Sequence, residues 1–155
     1  MITPEEEKQF LDFGCSSRCL IKFSELAGRP IKRDDFITAY RSFFPPNKCG
    51  GLTTSSLIEV GMKMELFTVA CAVRRKEKVK KALHSEGANS AFVFTDWNQA
   101  PDGVWGEVYH TQLLLGFDPK GQWVVFHPNP DGRDMDIHYS DQELDERFAH
   151  FLLIY

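Results

Sequence analysis

Tyr109-His110-Thr111-Gln112-Leu113-Leu114-Leu115-Gly116 runs into Phe117-Asp118-Pro119-Lys120-Gly121 and then into a second apolar stretch, 122–127, that ends at His127. Aromatic and aliphatic residues on both sides of an Asp-Pro-Lys-Gly turn predict two strands, 108–117 and 122–127, joined by a hairpin connection. Residues 90–97 and 135–139 carry the same composition, 150–155 reads as a closing strand, and 140–148 as a capped helical turn before it. Upstream of residue 64 the pattern is helical instead. Thr3 is placed to cap a helix with Pro4 at its first position and Glu5, Glu6 and Glu7 in its first turn, where the helix dipole favours negative charge. That helix is expected to fade before Gly14. A second is expected from Cys15 to Leu26, with Leu20, Phe23 and Leu26 on its apolar face, Gly28 as its stop and Pro30 beyond. Asp34-Asp35 introduce a third over 34–43, ended by Pro45-Pro46; Cys49-Gly50-Gly51 reads as a loop, and residues 53–56 supply caps for a short helix carrying Leu57, Ile58 and Met62. Between the two halves, 66–72 predicts a strand and 74–85 a basic amphipathic helix ended by Gly87. Helices first and an antiparallel sheet second make the fold class α+β.

A chain of 155 residues suits a single domain spanning 1–155, and no internal repeat or low-complexity linker argues for a boundary. The hydrophobic fraction of 43%, with 13 Phe, is ample for one core, and 26% charged residues place the chain among globular proteins rather than disordered ones. A formal net charge of -4 argues against nucleic acid as a partner, because phosphate contacts call for a basic surface. The first seven residues, Met1-Ile2-Thr3-Pro4-Glu5-Glu6-Glu7, lack the basic start and apolar run of a secretory signal. Cytoplasmic synthesis is therefore expected, with export by a signal-independent route left open. No window approaches the roughly 18–20 apolar residues of a membrane-spanning helix. Cys15, Cys19, Cys49 and Cys71 are read as thiols, and zinc is not expected because no second close Cys/His pair joins Cys15 and Cys19. The basic run Arg74-Arg75-Lys76-Glu77-Lys78-Val79-Lys80-Lys81 fits the solvated face of a helix whose inner side is Val79, Ala82 and Leu83; an anionic partner is the alternative.

The residues that carry chemistry are Cys15, His110 and Gln9. Cys15 opens the block Cys15-Ser16-Ser17-Arg18-Cys19-Leu20 at an expected helix N-terminus, where the dipole and unpaired N–H groups favour a thiolate. His110 lies on the strand quoted above, whose regular backbone would hold an imidazole rigidly. In thiol acyl transfer the Cys attacks, the His takes and later returns the proton, and a Gln amide joins the Cys backbone N–H in stabilising the oxyanion. Cys19, Cys49 and Cys71 are read as small core residues, the commonest role of an unpaired Cys. Trp97, Trp105 and Tyr109 flank a polar loop, 98–106, and either line a groove or cover the sheet edge.

Taken together, Gln9, the block Cys15-Ser16-Ser17-Arg18-Cys19-Leu20, the strand and hairpin from His110 through Gly116-Phe117-Asp118-Pro119-Lys120-Gly121, and the dipeptide His127-Pro128 resemble the papain-like cysteine peptidases. The resemblance is greatest to the bacterial leader-peptide-processing peptidases of bacteriocin exporters, in which Gln precedes a Cys-Gly-x-Ala-Cys-Leu block and a His strand leads through a hairpin to Asp-Pro. It covers most of the chain, including Gly50-Gly51 and the final helix and strand. It implies helices packed on an antiparallel sheet, Cys15 as nucleophile, His110 as base, Gln9 at the oxyanion and no cofactor. Two positions depart from the family: Ser16 stands where it has Gly, and His127 where it has the orienting Asp. Asn129 is the alternative to His127 in that third role. The expected function is a thiol hydrolase of peptide or isopeptide bonds in a peptide or protein substrate. A catalytically silent peptide-binding module and a deamidase or effector remain the alternatives, and nothing in the sequence fixes an oligomeric state.

Overall fold

Thr3 opens the first helix with a reciprocal capping box: its side chain accepts from the Glu6 N–H while the Glu6 carboxylate accepts from the Thr3 N–H. The computed structural model describes residues 1–41, 52–96, 109–129 and 131–155, apart from the Phe13 side chain. Within these, the chain forms two compact units, Met1–Thr68 with Pro128–Met135, and Val69–His127 with Asp136–Tyr155. The expected helix end at 42–43, Pro45-Pro46, the Cys49-Gly50-Gly51 loop, Val108, and the 98–106 loop with Trp97 and Trp105 lie outside the described residues.

The first unit is helical. Helix α1 (Pro4–Phe13) is followed after one residue by α2 (Cys15–Leu26). Gly14 makes this break possible: its N–H bonds the Phe10 carbonyl at 2.9 Å, and a Cβ at this position would lie 2.1 Å from that oxygen. Helix α2 buries Cys19, Leu20 and Phe23, and stops where Gly28 adopts φ +74° and Arg29 N–H reaches back to the Ser24 carbonyl. Leu26 departs from the expectation, being 57% exposed. Six residues beyond Leu20 it has rotated about 240° around the helix, off the buried face.

Helix α3 (Arg33–Ala39) buries Phe36 and Ile37, and α4 (Thr54–Lys63), capped by Thr53, buries Leu57 and Val60. The expected strand over 66–72 is mostly not one. Glu65 takes a left-handed φ of 56°, its N–H bonds Met62 and the Leu66 N–H bonds Gly61, closing α4 in a Schellman turn. Phe67 then folds back onto α4, its ring filling the space that a side chain at Gly61 would occupy. The apolar pair 66–67 thus finishes a helix, and the strand starts at Ala70.

The second unit is a six-stranded antiparallel sheet in the order β1-β6-β2-β3-β4-β5, built from β1 (Ala70–Val73), β2 (Ser90–Asp96), β3 (Tyr109–Phe117), β4 (Trp123–His127), β5 (Met135–Tyr139) and β6 (His150–Ile154). Helices α5 (Lys76–Ser85) and α6 (Asp141–Glu146) belong to the same unit. Val79 and Ala82 from α5 and Leu144 from α6 pack with Val93, Leu114, Trp123, Val125 and Phe151 in one cluster. Burying that apolar surface is the main source of the unit's stability. The β3–β4 connection is the expected hairpin: the Asp118 side chain accepts from the N–H groups of Lys120 and Gln122, and Gly121 takes the positive φ of the turn. The α+β class stands as expected, with helices, and a six-stranded antiparallel sheet after residue 69.

Candidate functional site

Cys15 is the first residue of α2, half-buried, with Gly14 before it and no side chain capping the helix end. Ser16 has right-handed helical backbone, so no Gly is needed for a positive φ here; its hydroxyl donates to the Leu52 carbonyl at 3.3 Å. Gln9 lies on α1 in the same unit, half-buried. One turn beyond Cys15 come Arg18 and Cys19, on its side of the helix. Burial pushes the Cys19 thiol well up, so it stays protonated near neutrality and is a core group. Cys71, expected in the core, is instead exposed, because β1 is the sheet's edge strand.

Arg18 is 6% exposed. Its guanidinium pairs with Asp134 and donates to the carbonyls of Asn129 at 2.7 Å and Leu11 at 3.3 Å. Burial lowers its pKa, opposed by the nearby thiols of Cys19 and Cys15. Asn129 takes part in this cluster through its backbone, accepting from Arg18 and donating its N–H to Asp134.

The imidazoles belong to the second unit. Side chains on a strand alternate between faces, and the β2–β3 register sets His110 opposite Thr95 and Gln112 opposite Val93, so these four share one face. His127 closes β4 on the face of Trp123 and Val125, which belong to the same core cluster as Val93. It is brought to His110: His110 Nε2 lies 3.1 Å from His127 Nδ1, the rings meeting edge to face at 4.4 Å. His127 Nδ1 is also 3.2 Å from Gln112 Oε1. The Gln112 amide is fully buried, donates through Nε2 to the Thr95 hydroxyl at 2.9 Å, and accepts through Oε1 from the Tyr139 hydroxyl at 3.0 Å. Burial raises the Tyr139 pKa, which keeps the donating proton in place.

Both imidazoles stand out in the sequence; Gln112, Thr95 and Tyr139 do not. The available signal was a Gln two residues after His110 in an otherwise apolar strand, a spacing that puts both on one face. Arg18 was equally missed as a buried ion-pair partner; nothing in the local sequence pointed to Asp134. At the exposed start of β3, Tyr109 meets the His150 ring edge-on at 4.6 Å, and His150 stacks on Phe94 at 4.9 Å. Burial, then the charge of Arg74, lowers the His150 pKa.

Among the described residues no group of three or more His, Cys, Asp and Glu side chains is placed to hold a metal ion, and no helix is long and apolar enough to cross a membrane. No protein-family model matches the chain, and no curated protein matches it.

Proposed function

We propose that this protein is a papain-like thiol hydrolase, akin to the leader-peptide-processing peptidases, that cleaves a peptide or isopeptide bond. The observation that supports it is His110, buried on β3 with Nε2 held 3.1 Å from a second imidazole. A base whose far nitrogen is fixed by a third group is what nucleophile activation requires. With Nε2 committed to His127, the proton of Cys15 is taken at His110 Nδ1. The sulfur then attacks the substrate carbonyl carbon, a C–S bond forms, and the oxyanion is held by the Cys15 N–H and the Gln9 amide. The tetrahedral adduct collapses with cleavage of the C–N bond, and the His110 Nδ1 proton leaves with the amine. Water, deprotonated at the same nitrogen, attacks the thioester, releases the acid and returns the proton to sulfur. Where the bond broken is that of a side-chain carboxamide, the same steps release ammonia, which makes deamidation the neighbouring reaction.

A silent peptide-binding module is the second reading, favoured by one observation: the third position holds an imidazole facing the Gln112 carbonyl instead of a carboxylate. Iodoacetamide labelling as a function of pH, mapped by mass spectrometry in the parent and in His110→Ala, separates the two. Exposed Cys71 supplies an internal reference for an accessible thiol. Cys15 labelling that is fast at mildly acidic pH and collapses in the variant is expected of the enzyme. Slow, His110-independent labelling leaves the binding module.

A further inference from the structure

We infer that Gln112 is a positioning residue that sets which ring nitrogen of His110 carries the proton, acting through His127. The inference takes its catalytic meaning from the thiol-hydrolase reading, but the tautomer itself is measured without it.

The geometry rests on one atom, His127 Nδ1, which lies 3.2 Å from Gln112 Oε1 and 3.1 Å from His110 Nε2. An imidazole nitrogen either carries a proton and donates, or carries a lone pair and accepts; it does not do both. A carboxamide oxygen only accepts, so Oε1 facing His127 calls for a proton on Nδ1. His110 Nε2 must then meet that N–H with its lone pair, which leaves neutral His110 protonated at Nδ1. This is the wrong tautomer for a base that uses Nδ1, and a wrong tautomer is costly even where the geometry is kept. In this orientation every contact of the amide is satisfied: Tyr139 donates to Oε1 and Nε2 donates to Thr95.

A half-turn of the amide about its terminal bond exchanges oxygen and nitrogen while its neighbours stay where they are. Nε2 then donates to His127 Nδ1, which becomes an acceptor for His110 Nε2–H, and His110 Nδ1 is freed of its proton. Thr95 donates to the carboxamide oxygen in place of accepting, and the Tyr139 oxygen accepts from Nε2. The same orientation also supports the doubly protonated ring of a thiolate–imidazolium pair. Gln112 therefore makes of His127 Nδ1 what a carboxylate is elsewhere, an acceptor for His110 Nε2–H, but in a form with two settings. Tyr139, which as a donor favours the carbonyl-inward setting, biases the switch against the base-competent tautomer.

The test is 15N NMR of the histidine ring nitrogens in the full chain, in the parent and in the variants Tyr139→Phe and Gln112→Met. Removing the phenol hydroxyl is expected to raise the Nε2–H to Nδ1–H ratio of His110 about fivefold, as loss of one hydrogen bond to one setting would. Gln112→Met removes the carbonyl altogether and is expected to raise the ratio further. An unchanged ratio in both variants overturns the inference; should Gln112→Met not fold, Tyr139→Phe alone decides it. Cys15 labelling in the same samples keeps the two readings apart. A tautomer shift with no change in labelling rate upholds the role of Gln112 and overturns the pairing of Cys15 with His110.

Discussion

One buried polar cluster in each unit is held by opposite means. In the first, Arg18 is a pure donor: its guanidinium stays charged, and its partners among the described residues, Asp134 and the carbonyls of Leu11 and Asn129, only accept. One assignment of protons satisfies the cluster, so it acts as a fixed clamp between α2 and the turn at 128–135. In the second, His110, His127, Gln112, Thr95 and Tyr139 can each donate or accept. At least two assignments satisfy that network, which is the property a proton-transfer site needs. A buried group with one possible role fixes structure, and a buried group with two can move a proton.

The comparison predicts different costs of breakage. Asp134→Ala, which leaves a buried guanidinium without its counter-charge, is expected to destabilise the chain by about 3 kcal/mol in urea unfolding. Combining it with Arg18→Met should cost clearly less than the two single changes added, because the stranded charge is then gone. A cost for Asp134→Ala below about 1 kcal/mol would remove the clamp from the comparison. Gln112→Leu, which strands the polar partners Thr95, Tyr139 and His127, is expected to cost about 2 kcal/mol, and Tyr139→Phe about 1 kcal/mol. If Tyr139→Phe cost as much as Gln112→Leu, the network would be a rigid clamp like the first.

The smallest effect is one of pH. His150 has a folded-state pKa below the ordinary 6.5, chiefly through burial. As the pH falls, the unfolded chain therefore binds the proton first. Stability from this residue is complete above about pH 6.5 and is lost as the pH drops below it toward the folded value. Arg18, though lowered, does not titrate in this range, so the acid sensitivity belongs to the sheet unit. Urea midpoints between about pH 5 and 7 should fall in the parent and fall less in His150→Gln.

Much of the element order was legible because local signals decide it. The Thr3 box, the Pro4 start, the Gly28 stop and the Asp118–Gly121 turn act over a few residues, and α2 runs from Cys15 to Leu26 as the sequence predicts. Errors fell where a local apolar signal served a different neighbour. Leu66 and Phe67 look like strand residues, yet a left-handed Glu65 turns them onto α4, a choice made by packing against Gly61 and not by propensity. Cys71 reads as buried until the strand order puts β1 at an edge.

By itself the sequence determined the α+β class, the hairpin after His110 and the candidates Cys15, His110 and Gln9, since each follows from short-range pattern or from residue chemistry; His127 entered only through the family resemblance. Pairing through space decided the rest. Gln112 shares His110's face by strand alternation alone, but only when β3 lies between β2 and β4 do Thr95 and His127 join that face and give the Gln112 amide its partners. Arg18 and Asp134, separated by 116 positions in the chain, meet without any strand pairing between them: a buried charge selects its partner through space, and no spacing in the sequence records it.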